Sequence, residues 1–375
     1  MDDLKSFCCL NPDCPDYGHR GRANLRVCFR NGPNKQRRVL ACRTCQQRFS
    51  ERKGTPLYRA KLLRRKRSRY SSICKRVAVS ARPAAWSEST RTRWSAWPCW
   101  PANTPTNSTM NSWLFPPQTR AAQFDEKWSF VGKKEKHCDP AEPADVRQGD
   151  NWDHVAFDPE HRLVVSVVPG KRTEEKTHQL VQDFKERTSG RLPNLLTSDE
   201  YPVYKTAIFE AYAVEQPQPR TGRPGRPKKP QKVLPKGLTY ATVHKERENG
   251  RVKKVTTRVV FGTKRAVLAA LALSLVSTVV NTVFVERHHG SDRNRNRRKV
   301  RKTCCFSKDW DVHEALTYFT MYRYNFCWPV RTLRVEVTAG QYQQRTPAMA
   351  AGLTEHVWTI REWAAYPALK RKRDP

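Results

Sequence analysis

The hydrophobic and polar positions of this chain fall into an orderly stretch, a broken one and a cysteine-rich one. The orderly stretch spans residues 116–345. Gln123–Gly132, QFDEKWSFVG, reads as a strand built on Phe124, Trp128, Phe130 and Val131, with Asp125 and Glu126 set into it. Successive strand residues face opposite ways, so the two acids are expected on opposite faces. Asp150–Ala156 and Leu163–Val168 predict a strand pair around the polar turn DPEHR. Glu174–Arg187 predicts an amphipathic helix with Leu180, Val181 and Phe184 on one face. Leu195–Ser198 reads as a strand that delivers Asp199, and Leu238–His244 with Thr256–Phe261 reads as a hairpin turned at ENGR. A helix is expected over 263–280, with Glu286 at or just beyond its end. Strands, a crossover helix and a strand carrying a second carboxylate predict a mixed α/β sheet with acids gathered at one edge.

A carboxylate on a core strand is costly to bury unless it is paired or binds a metal. Asp125 is set into the strand run QFDEKWSFVG, and Asp199 and Glu286 end the apolar runs of LLTSDEYPVY and NTVFVERHH. Acids this far apart in sequence meet only through a fold. Converging, they would hold two divalent ions, magnesium or manganese, for cutting and joining DNA. Asp153, Asp158, Glu200 and Glu126 are expected to be solvated or capping. The mostly apolar run Val267–Val285 is long enough to span a bilayer. It contains Ser274, Ser277, Thr278, Asn281 and Thr282 and runs straight into Glu286 and a basic segment. It therefore reads as a buried helix on a sheet rather than a membrane span.

The cysteine-rich stretch is residues 1–62, expected to be a zinc-ribbon DNA-binding domain. Cys9-x4-Cys14 precedes Cys42-x2-Cys45, with a turn signal at Asn31-Gly32-Pro33 between them. Two cysteine pairs at tight turns supply four thiolates to one structural zinc. Cys8 is an alternative to Cys9, and Cys28 reads as a packed thiol. The chain has twelve cysteines and begins MDDLKSFCCLNPDC, with no secretory signal, which points to a reducing compartment and metal ligation rather than disulfides. A cytoplasmic location, at a prokaryotic nucleoid, is expected.

Charge sharpens this picture. The 375 residues carry 71 Lys and Arg against 35 acids, a formal charge of +36. Such an excess calls for a polyanionic partner, and with neither an anchor nor a basic amphipathic helix the expected partner is DNA. Arg293–Lys302, RNRNRRKVRK, reads as a phosphate-tracking surface. Arg287 and His288, directly after Glu286, are expected near the scissile phosphate or the flanking backbone. The insertion 213–236 contains RPGRPKK, which resembles a minor-groove AT-hook centred on Arg226; an ordinary flexible linker is the other reading.

The broken stretch, residues 63–115, has no lasting period. From Arg64 to Phe115 it holds ten Lys and Arg, one acid (Glu88) and five of the chain's eleven Trp. Basic disordered linkers are poor in Trp. Reading the gene one base earlier turns every Trp codon into Leu, Val or Met. The shifted reading contains an ATxRLVGVNKDTV unit like a helix-turn-helix, and it rejoins PPQTRAAQFDEKW without a break. As written, 63–115 reads as the frameshifted, disordered remnant of DNA-reading helices.

Outside that remnant the chain resembles the insertion-sequence transposases of the IS-one family. NPDCPDYG…CRTC resembles their zinc ribbon, DEKWSFVG, SDEYPVY and NTVFVERHH their three catalytic blocks, and FSKDW and YNFCWPVRTLR their C-terminal blocks. The resemblance implies a ribonuclease-H-like catalytic domain over 116–345 with a DDE triad, which falls on Asp125, Asp199 and Glu286. It implies metal-dependent cleavage at the element's terminal inverted repeats, strand transfer into target DNA and action as a homo-oligomer. It makes Lys308 of FSKDW a candidate DNA contact. The alternatives are an inactive DNA-binding remnant of a transposase and a metal-dependent nuclease that does not join strands. The tail, 346–375, is expected to dock on the catalytic core through Trp358 and Trp363.

Overall fold

A computed structural model describes residues 4–55, 118–217 and 230–366. The 63–115 remnant and Arg226 lie outside the described residues.

Near the N-terminus, β1 (Leu25–Asn31), β2 (Arg37–Cys42) and β3 (Arg48–Ser50) form an antiparallel sheet. The turn between β1 and β2 is made by Gly32 at φ +78°, a conformation an L side chain resists. Leu25, Leu40 and Phe49 pack beneath Cys9, Cys14 and Cys42.

The larger sheet is built from β4 (Ala121–Val131), β5 (Gly149–Asp158), β6 (Leu163–Gly170), β7 (Leu195–Asp199), β10 (Tyr240–Glu248) and β11 (Arg251–Phe261). Its order is β11-β10-β7-β4-β5-β6. The meander β4–β5–β6 is antiparallel, whereas β4 with β7 and β7 with β10 are parallel. That order, with α1 (Glu174–Arg187) crossing from β6 to β7 and α2 (Val203–Tyr212) from β7 towards β10, is compatible with a ribonuclease-H-like fold. The β10–β11 hairpin extends the parallel edge. At the base of the insertion, β8 (Val214–Gln216) pairs with β9 (Gln231–Val233) in a short antiparallel ladder.

Alternation along the central strand decides which helices cover which face. Phe124 joins Leu180, Val181 and Phe184 of α1 and Tyr204 and Ile208 of α2 in one core. α1 matches its sequence signals: Thr173 accepts from Lys176 N, two glutamates start it, and Lys185 and Arg187 end it. Val155, Phe157 and Val164 of the sheet pack instead with α4 (Val283–Arg295) and α5 (Trp310–Cys327). The tail closes this second core: Trp358 lies 5.2 Å from Phe326 and Trp363 5.1 Å from Phe319, centroid to centroid. Arg20 of the N-terminal region stacks over Tyr366 at 4.1 Å.

The expected helix over 263–280 is corrected. α3 covers only Lys264–Ala272. Ser274 Oγ then accepts from Val276 N and Ser277 N, which gives the backbone a turn in place of the helical ladder. The chain restarts as α4, and Glu286 falls in its first turn. Among the described residues no helix is long and apolar enough to cross a membrane.

Candidate active site

β4 and β7 run parallel with Phe124 opposite Ser198, so the next residues in register are Asp125 and Asp199. Both stand at the middle of the sheet. Ligand oxygens of Asp125, Glu126 and Asp199 all lie within 4.8 Å of one another. Asp125 Oδ1 accepts from Glu126 N at 2.9 Å, and Asp199 Oδ1 from Tyr201 N at 3.2 Å. Burial, and then the neighbouring Asp125 charge, push the Asp199 carboxyl up. Glu126 is nearly inaccessible, and burial pushes it up to about 7 even though Tyr204 donates to it. Arg172 Nη2 reaches Glu126 at 3.0 Å while its guanidinium stacks over Tyr201 at 4.1 Å and Trp152 at 5.1 Å. Three carboxylates this close repel one another, and a divalent cation is the natural counter-charge. The donor set, all hard oxygens, fits magnesium or manganese.

Glu286 stands outside this cluster. Its carboxylate is paired with Lys245 of β10 and accepts from Thr282. It is still close enough for its charge to raise Asp199. The third carboxylate of the cluster is therefore Glu126, whose sequence context predicts a solvated or capping acid. Asp153, opposite Lys127 in the β4–β5 ladder, departs from that expectation as well. Fully buried, Asp153 accepts from Lys299 Nζ at 2.6 Å and lies 3.2 Å from Lys127 Nζ. Lys127 in turn pairs with Asp292 of α4. These four charges, with Thr317 of α5 donating to Asp153, lock α4 against β4 and β5. Burial, ahead of the opposing Asp153 charge, lowers Lys299 to about 8. Asp158 does cap, accepting from Glu160 N and His161 N, and Glu200 pairs with His244 at 2.6 Å.

The basic residues sort by exposure. Arg287 and Lys308 are exposed, Lys308 over the Phe306 ring. His288 is buried: its ring stacks on Phe157 at 5.0 Å, packs on Tyr324 and meets the Met321 sulfur at 3.2 Å. Burial lowers it to about 3, so it is a neutral core ring rather than the phosphate contact expected from its place after Glu286. The run 293–302 is also not one solvated surface, since Lys299 is buried and Arg295 stacks over Trp328 at 4.0 Å.

In the N-terminal region, ligand atoms of Cys9, Cys14, Cys42 and Cys45 all lie within 4.8 Å of one another. The Cys9–Cys45 sulfurs are 3.6 Å apart and the Cys14–Cys42 sulfurs 3.9 Å. Tetrahedral zinc with bonds of about 2.3 Å sets thiolates about 3.8 Å apart, so the four cysteines fit zinc. Cys8 pairs with Arg20 in an isolated bridge, outside that set. Cys9 is pushed up by burial, whereas Cys45 sits low, at about 7, with Gln47 N and the neighbouring thiols outweighing its burial.

No family model matches the chain, and no curated protein matches it. Among solved structures, the Mos1 strand transfer complex is 15% identical over 40% of this chain and 39% of that chain, with a TM-score of 0.17. The chain thus spans about two-fifths of that structure's length.

Proposed function

We propose that this protein is a divalent-metal-dependent transposase that cleaves and joins DNA strands. The observation that carries this reading is the meeting of Asp125, Glu126 and Asp199 at the centre of the sheet, in a chain of net charge +36. Asp125 and Asp199 would hold magnesium or manganese, with Glu126 beside them and Glu286 at the rim. Two such ions, when bound, polarise the phosphodiester and stabilise the attacking and leaving oxygens. The protein's own part is positional. Tyr204 and Arg172 fix the Glu126 carboxylate, and the Lys127–Asp292 and Lys299–Asp153 pairs hold α4 in register with the acids. Arg287 and Lys308 face solvent, where they would meet phosphates. A zinc held by Cys9, Cys14, Cys42 and Cys45 would keep the basic N-terminal ribbon folded against DNA. Terminal repeats and target DNA would be the partners, with a second copy of the chain assembled on paired ends.

The test is strand cleavage of supercoiled plasmid carrying the element's ends, by the full chain with Mg2+ or Mn2+. Asp199→Asn is expected to reduce nicking and joined product to background while DNA binding stays within about twofold of wild type, because phosphate contacts carry that binding. Cleavage by Asp199→Asn at the wild-type rate overturns the assignment. Metal-dependent nicking with no joined product would make the protein a nuclease. DNA binding without any cleavage would leave the inactive remnant.

A further inference from the structure

We infer that His289 is a nitrogen ligand of the metal centre, binding the ion that Asp125 holds on the α4 face of the sheet. This rests on the metal-dependent reading above. Alternation turns Gln123, Asp125 and Lys127 of β4 towards α4. Gln123 accepts from Val285 N at 3.0 Å, and Lys127 pairs with Asp292. Asp125 lies between these two contacts, and the residue it meets on α4 is His289, with Nε2 3.3 Å from Oδ2. His289 is only 4% exposed, and neither of its ring nitrogens has a hydrogen-bond partner among the described residues.

A buried imidazole that makes no hydrogen bond has given up its solvation without a replacement. Donating a nitrogen lone pair to a cation supplies that replacement. The separation also suits a shared ion, because two donors at about 2.1–2.2 Å from an octahedral metal lie about 3.0–3.1 Å apart. Glu286 precedes His289 by three residues, on the same helix face. Glu-x-x-His on a helix is a spacing by which carboxylate-bridged metal pairs are held. Lys245 now balances the Glu286 charge, and its flexible ammonium is what an incoming cation would displace. Asp125 would then be shared between an all-oxygen site with Glu126 and Asp199 and a mixed site with His289 and Glu286. An imidazole ligand shifts preference from Mg2+ towards Mn2+.

Pulsed electron paramagnetic resonance of Mn2+ bound to the full chain tests this directly. With 15N-labelled histidine, a 15N coupling is expected on the bound Mn2+ of the wild type, and it needs no substitution that might disturb folding. His289→Gln is expected to abolish the coupling and weaken Mn2+ at least about tenfold, the loss typical of even an outer-shell partner. Mg2+ should weaken less. Bound Mn2+ without nitrogen coupling, or coupling that survives in His289→Gln, overturns the proposal and leaves His289 as a structural neighbour of Asp125. Failure of the metal centre itself reads differently: no Mn2+ binding that Asp199→Asn removes, which overturns both assignments.

Discussion

Replacing Glu126 by glutamine should make the metal-free protein more stable and the metal-loaded protein less responsive. Glu126 titrates near 7 in the folded chain, against 4.5 for an ordinary glutamate, chiefly because it is buried. A raised carboxyl means the folded state holds its proton more tightly than the unfolded chain does. Stability from this group is therefore full below pH 4.5 and is lost as pH rises to about 7. At 1.36 kcal/mol per unit, the loss reaches about 3 kcal/mol at pH 8 as an upper figure. Glutamine keeps the shape and can still accept from Tyr204, but it carries no charge to desolvate. Urea unfolding in chelator is the assay. Glu126→Gln should match wild type at pH 4.5 and exceed it by up to about 3 kcal/mol at pH 8. Added Mn2+ should reverse the order at pH 8, because the ion stabilises the ionised cluster only where all three carboxylates remain. Equal stabilities at pH 4.5 and pH 8 would refute the claim that burial raises Glu126. An unchanged Mn2+ response would refute its place in the metal cluster.

Other consequences follow from the same packing. Lys299→Met strips Asp153 of its closest cation in the sealed layer behind β5, and should cost about 3–5 kcal/mol in urea unfolding, as breaking buried pairs does. His288 and His313 are both lowered to about 3 by burial, so the folded chain keeps them neutral; stability should fall as pH drops from 6.5 towards 3, and the slope should lessen in His288→Phe. The same His288→Phe variant should leave DNA binding unchanged in a mobility-shift assay, since the ring is buried against Phe157 and Tyr324. The full chain should release one zinc in a colorimetric assay; Cys42→Ser should abolish that release and expose residues 4–55 to protease, whereas Cys8→Ser should leave it unchanged.

Much of the architecture can be read from local chemistry. α1 spans Glu174–Arg187 as its caps and apolar face predict, and the strands around Asp125 and Asp199 fall within a few residues of their patterns. The four cysteines that come together are the two spaced pairs. Local pattern fails where one stretch is apolar all along. Val267–Val285 has no period that marks its break, which two hydroxyl-capped backbone amides at Ser274 decide. It fails for charge as well. Nothing in RNRNRRKVRK separates the buried Lys299 from its solvated neighbours, because burial depends on Asp153 from a strand far away in sequence.

The sequence by itself determined most strands of the large sheet, the helix α1, the two spaced cysteine pairs and the presence of acids in or beside apolar runs. These follow from periodicity and spacing, which act over a few residues. The tertiary structure alone decided that Glu126 rather than Glu286 completes the carboxylate cluster, that Lys245 holds Glu286, and that His289 faces Asp125. Those outcomes depend on the register of β4 against β7 and on the seating of α4 across the sheet. Both are set by contacts between residues far apart in the sequence, such as Phe124 with Ser198, Gln123 with Val285 and Lys127 with Asp292, to which no local pattern points.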